Sequence, residues 1–226
     1  MKNLLGAMIV LMFALVVRGQ QVQIIFVPTW AKKALITDTV YLMQNDEIMV
    51  EELKFYISNI ALQHKGKVVW QETNSYHLLD VNKPGSLQFT LTKPTDIKFD
   101  EVLFSLGIDS ITSEAGVLDG DLDPTKGMYW TWQSGYIHVK LEGKSKHCPA
   151  RKNRFQFHLG GFRGETNSFQ NVSLKTGNSN RIVIELPVDN FLEGIELSKQ
   201  YEIMIPGKQA VALSKRLASL FKLKTQ

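Results

Sequence analysis

A single cysteine, Cys148, stands in a chain of 226 residues. One thiol cannot close an internal disulfide, so the fold must be held by its core and not by staples. No Pro/Ser-rich stretch divides the chain, which predicts one domain from Gln20 to Gln226. Charge of one sign is scarce as well. The formal net charge is only +4, and Lys2 and Arg18 contribute to it from a segment expected to be removed. No basic cluster interleaves with aromatics, so nucleic acid is not an expected partner. Lys144, Lys146, Arg151, Lys152 and Arg154 crowd one connection, which reads as a solvated loop.

Catalytic signatures are missing too. There is no Gly-x-Ser-x-Gly elbow, Walker A loop, dinucleotide fingerprint or His-Glu-x-x-His. Cys148 sits in a charged loop without an oriented base; its neighbour His147 makes a thiolate metal site conceivable, but a loop thiol is the plainer reading. These absences argue against hydrolytic and nucleotide chemistry and predict a protein that is not an enzyme. Asn171-Val172-Ser173 matches a glycosylation acceptor, of consequence only in a eukaryotic host.

Long apolar runs occur only at the start. Lys2 is followed by an uncharged apolar stretch from Leu4 to Val17, and Val17-Arg18-Gly19 suits cleavage before Gln20. Residues 1–19 therefore read as a signal peptide, too short for a comfortable membrane span of about 20 residues. No later segment is apolar enough to cross as a helix. The mature chain is expected in the periplasm, on the cell surface or secreted.

What is present is strand periodicity. Leu53, Phe55 and Ile57 alternate with Lys54, Tyr56 and Ser58, and after His64-Lys65-Gly66-Lys67 the run Val68-Val69-Trp70 resumes, which predicts a hairpin. Leu87, Phe89 and Leu91 alternate next, then Ile137, Val139 and Leu141, then Ile182, Ile184 and Leu186. Thr29 to Met49 is ambiguous. Asp189 is placed to cap a short helical turn through Leu192. Beyond Pro206-Gly207 the period changes: Ala210, Leu213, Leu217, Leu220 and Phe221 recur at helical steps. The expected fold is all-β, an antiparallel β-sandwich with one C-terminal amphipathic helix.

The aromatic centre is the run from Gly127 to His138, with two of the four Trp, two of the six Tyr and one of the five His. Trp130 and Trp132, at i and i+2, would share one face of an extended chain. Gly135 inside the run suggests a bulge. Upstream, Asp119, Asp121 and Asp123 alternate in a turn. As an EF-hand the turn fails, with Pro124 at its sixth position and Trp130 at its twelfth. Its carboxylates either cap backbone N–H groups or hold Ca²⁺ in a loop of another shape. His138 and His158 each lie on a strand among aromatics. They are either half-buried histidines with one partner each or imidazole ligands of copper or zinc.

Gly127-Met128-Tyr129-Trp130-Thr131-Trp132-Gln133-Ser134-Gly135-Tyr136 resembles the Met-aromatic-Trp-x-Trp-Gln-x-Gly-Tyr signature of the MbnP-like family, exported copper-binding proteins named for methanobactin-associated members. Leu53 to Ser58, His77-Leu78-Leu79-Asp80 and Phe157-His158-Leu159-Gly160-Gly161 resemble its other segments in the same order. The resemblance implies an exported β-sandwich that binds copper. It also implies that a partner di-haem peroxidase oxidises one Trp to kynurenine, which joins histidine at the metal. Trp130 is favoured for that role over Trp132, with His158 as the matching histidine and His138 as a further candidate. A copper transporter is a second expected partner. Two departures stand out. The loop Asp109 to Gly116 has no Asn-His pair, and Gly161-Phe162-Arg163-Gly164 replaces Ser-Thr-Gly-Cys. The alternative to copper is an envelope interaction module whose Trp pair serves the core.

Overall fold

The computed structural model describes residues 19–131 and 133–224. The expected signal peptide, up to residue 18, and Trp132 lie outside the described residues. The chain begins with β1 (Gly19–Trp30), β2 (Lys33–Ala34), β3 (Val40–Met43), β4 (Asp46–His64), β5 (Lys67–Gln71), β6 (Tyr76–Asp80), β7 (Gln88–Pro94) and β8 (Glu101–Leu106). A short helix α1 (Ser110–Ala115) precedes β9 (Tyr129–Thr131), β10 (Gly135–Ser145), β11 (Arg154–Gly160), β12 (Gln170–Lys175) and β13 (Arg181–Pro187). The chain then runs through α2 (Val188–Leu192), β14 (Glu202–Ile203), α3 (Lys208–Leu220) and β15 (Lys222–Leu223).

Two sheets face each other. The smaller is ordered β15-β13-β1-β2, with β7 also paired to β1. The larger runs β12-β8-β4-β10-β11-β14. Val22, Ile24 and Phe26 of β1, Ile182, Ile184 and Leu186 of β13, and Leu53, Phe55, Val139, Leu141, Phe155 and Phe157 of the larger sheet share one core. Each set alternates along its strand, as one buried face requires. The C-terminal helix α3 closes this core with Ala210, Leu213 and Leu217, and Phe221 just beyond it sits 5.3 Å from Phe104, edge to face. Its start after Pro206-Gly207 is where the change of period places it. No helix among the described residues is long and apolar enough to cross a membrane.

The sandwich is not antiparallel throughout. β1 pairs parallel with β13, from Gln23 opposite Arg181 to Thr29 opposite Pro187, and β11 pairs parallel with β14. Asp189 does not cap α2. It sits inside the helix, and its carboxylate accepts from the Ala31 N–H at 2.9 Å, tying α2 to the end of β1.

The 19-residue β4 is the spine of the larger sheet. One edge carries β3, β6 and β5 in turn. The other pairs with β10 as far as Phe55, then with β8 from Ile57. At Tyr56 the edge changes partner, and the sheet forks. Gly107, just past β8, donates its N–H to the Tyr56 carbonyl at 2.9 Å. This fork positions the site.

Candidate functional site

The aromatic run is a hairpin and not one strand. β9 ends at Thr131, residues 133–134 turn, and β10 starts at Gly135, whose φ of +70° suits glycine. The register slips between Gly135 and Tyr136, where a bulge is expected from the sequence. Tyr129 and Tyr136 meet edge to face at 4.9 Å, and Tyr136 meets Tyr56 at 5.9 Å. With Leu78, Ile108, Leu122, Met128 and Ile137 they form a second, smaller core under the hairpin. Burial, with neighbouring negative charge, pushes the Tyr56 hydroxyl well above the usual phenol range.

A second bulge lies at His138. Ile137 faces Gly160 and Val139 faces Leu159, so His138 has no partner of its own across the ladder. A bulge re-aims a side chain, and this one places His138 in the fork with no exposed surface. Simple alternation instead predicts a polar face shared by Tyr136, His138 and Lys140. Both Tyr136 and His138 are fully buried. The imidazole lies on the bare backbone of Gly107, where a Cβ would come within 2.5 Å of Nδ1. Nδ1 is 3.0 Å from the Ser168 hydroxyl, and Nε2 is buried without a partner. Burial pushes the His138 pKa down to about 4, against weaker opposing pulls from backbone at Ser168 and Ile108 and the Asp109 charge.

His158 lies on β11 opposite Lys140. Its Nε2 is 2.6 Å from Glu142 Oε1, and its Nδ1 is buried without a partner. Glu142 also receives Arg154 Nη2 at 2.5 Å on Oε2, with Lys140 Nζ 3.6 Å from Oε1. The His158 hydrogen bond, helped by Lys140 and Arg154, holds the Glu142 carboxyl at about 2 despite its burial. Trp130 packs its ring over Gly160, whose added Cβ would lie 2.7 Å from Cζ3. Gly160 follows His158 by two residues, so Trp130 covers the face of β11 that carries His158. The indole Nε1 is also buried without a partner.

The carboxylates of Asp121 and Asp123 in the Asp turn are engaged in hydrogen bonds to the protein. Asp121 accepts the Leu78 N–H at 3.0 Å on one oxygen and Lys126 Nζ at 2.6 Å on the other, and its carbonyl receives the Tyr56 hydroxyl. Asp123 caps the Thr125 N–H at 2.8 Å, and hydrogen bonds there hold its carboxyl below the usual range. Asp119 opens the turn through its carbonyl, which accepts the Leu122 N–H at 3.0 Å, and its side chain makes no capping bond. Cys148 is buried in its loop, with its thiol 3.1 Å from the Arg154 carbonyl.

Trp130 and His158 are thus brought to one face, while His138 belongs to the separate Ser168 network. Among the described residues no three His, Cys, Asp or Glu side chains converge as a metal-holding group. Glu142, Ser168 and Gly107 are neighbours of the two histidines that the sequence reading missed. Glu142 alone had a signal. It follows Lys140 on one strand face, and pairing β10 with β11 would have set it diagonal to His158.

The MbnP family model matches residues 19–205. No curated protein matches the chain. Among solved structures, MbnP from Methylosinus trichosporium is similar with a TM-score of 0.65, over 86% of this chain and 88% of its own, at 16% identity. That likeness is one of fold.

Proposed function

The chain belongs to the MbnP family, and from that premise we propose that it is an exported copper-binding protein with no catalytic activity of its own. The observation that carries this reading is the pair of buried, unpartnered nitrogens, His158 Nδ1 and Trp130 Nε1, on one face of β11. Polar atoms buried without a partner are costly, and an occupant or a modification accounts for them. Imidazole nitrogen suits copper. An unmodified indole offers only an N–H donor, whereas kynurenine at Trp130 would present an aryl amine and a ketone. His158 and a modified Trp130 are the residues that would hold the metal. Removal of residues 1–19 would deliver the protein to the periplasm, the cell surface or the medium. A di-haem peroxidase acting on Trp130 and a copper transporter are the partners this reading calls for.

Copper titration and metal analysis of the mature protein test it, with mass spectrometry of the Trp130 peptide. Micromolar or tighter binding that His158→Ala removes is expected. No binding, or binding indifferent to His158, would sink the reading.

A second reading has one observation in its favour. Ile111 on α1 and Val117 and Leu118 just after it are exposed, and Tyr136 donates to the Gly116 carbonyl between them at 3.1 Å. Exposed apolar side chains of this kind suit an interaction module in the cell envelope. Native protein with unmodified Trp130 and no copper would favour it.

A further inference from the structure

The outward face of the smaller sheet lacks the polarity of a wet face. Val22, Ile24 and Phe26 of β1 point into the core, so the residues between them should be polar where the other face meets water. Ile25 and Val27 stand there instead, and Val183 of β13 lies beside Ile25 across the ladder. All three are only half-buried. Two hollows meet over Ile25 and Val27. One, of about 460 Å³, is lined also by Val183 and Leu223, with Arg181 and Lys224 as its cations. The other, of about 330 Å³, continues over Ala34, Leu35, Val81 and Leu87, with no charged residue in its lining. It opens between the end of β7's pairing with β1, at Ile25, and the start of β2's, at Thr29.

The groove these hollows form is polarised along its length. Lys222 and Lys224 share one carboxylate, Glu185, at 3.8 and 4.0 Å, and Arg181 has no ion-pair partner among the described residues. Cations therefore outnumber acids at the β13–β15 end, while the β2 end is lined by uncharged side chains. From β15 to β2 is three strand spacings, ~14 Å. We propose that this groove binds a single-chain amphiphile with an anionic head, a free fatty acid. Its carboxylate sits on Arg181 and Lys224, and its acyl chain lies over Ile25 and Val27 toward Leu87. A guanidinium takes a carboxylate through two parallel hydrogen bonds, and each hollow falls in the size range of small-molecule sites. The groove belongs to the smaller sheet, so it is independent of Trp130 and His158 on the larger one.

Calorimetric titration of the purified protein with dodecanoate, kept below its micelle-forming concentration, should give one saturable site. Dodecyltrimethylammonium, the same chain with the opposite charge, should not bind. Arg181→Glu changes an exposed side chain and should weaken dodecanoate ~10-fold or more. Val27→Asp should abolish binding, with thermal melts confirming that both variants fold. Absence of saturable dodecanoate binding overturns the proposal. So does equal binding of the cationic amphiphile, or dodecanoate binding that neither variant changes. Binding to vesicles of anionic phospholipid without binding to free dodecanoate would make this face a membrane surface. Dimerisation that Val27→Asp removes and dodecanoate leaves unchanged would make it a contact between copies. Either result overturns the fatty-acid assignment.

Discussion

Trp130 rests on Gly160 so closely that the glycine is part of the site. A Cβ at Gly160 would come 2.7 Å from Trp130 Cζ3 and 2.6 Å from the Tyr136 carbonyl. One contact is with a ring held by its own core, the other with strand backbone, so neither yields cheaply. Gly160→Ala should lower stability by ~1–3 kcal/mol, as overpacking does. It should also displace the indole, which tryptophan fluorescence would report as increased exposure. Unchanged emission and an unchanged urea midpoint would contradict this placement.

Gly107 makes the same kind of demand at the fork. Its φ is +112°, and a Cβ would meet the His138 ring at 2.5 Å. Strain and collision act together. Gly107→Ala should cost ~1–3 kcal/mol for the backbone strain alone. Because His138 is backed by Ser168 and cannot retreat freely, the full loss should be larger than for an alanine placed at Gly85, which has open space around it. Comparing the two variants by denaturant unfolding checks it.

Much of the fold was legible because one buried face imposes period two. The alternations at Leu53, Phe55, Ile57 and at Ile137, Val139, Leu141 mark real strands, and Lys65-Gly66 turns β4 into β5 with both residues at positive φ. Pairing at long range was not legible. Nothing local says that β1 lies parallel to β13, or that one strand of 19 residues serves five partners in turn. The site shows the same division. Trp130 and His158 could be named from motif, and both lie on one face. From sequence His138 is a half-buried histidine or a ligand, and only the bulge between Ile137 and Val139, which alternation does not reveal, explains its full burial in the fork. Glu142 shares a strand face with Lys140 in the sequence, but its contact with His158 depends on cross-strand register that no local pattern gives.

Asp121 should matter for stability in the absence of any metal. Its two carboxylate oxygens hold the Leu78 N–H and Lys126, joining β6 to the turn before the hairpin. Asp121→Ala would leave the Leu78 N–H without its acceptor and should cost ~1–3 kcal/mol. The wild-type melting temperature should not respond to Ca²⁺. A rise in melting temperature on adding Ca²⁺, lost in Asp121→Ala, would show that the turn is an ion site after all.

The last prediction concerns acid. His138 is neutral and fully buried, with its pKa lowered from 6.5 to about 4 in the folded chain. Unfolding returns it to water, where it binds a proton more readily. Below pH 6.5 the unfolded state therefore carries more protons than the folded one. Stability should fall as pH drops from about 6.5 to about 4, and this contribution should level off below that. The full shift corresponds to ~3 kcal/mol at 1.36 kcal/mol per pKa unit. Glu142, held at about 2, loses its contribution in a lower window, as pH falls from 4.5 through 2, so the two are separable. His138→Gln removes the titrating ring while keeping a polar side chain opposite Ser168. Urea unfolding at closely spaced pH values should give a steep wild-type profile between pH 6.5 and 4 and a flatter one for the variant. Parallel profiles would mean that the imidazole is not sealed in the fork as neutral ring.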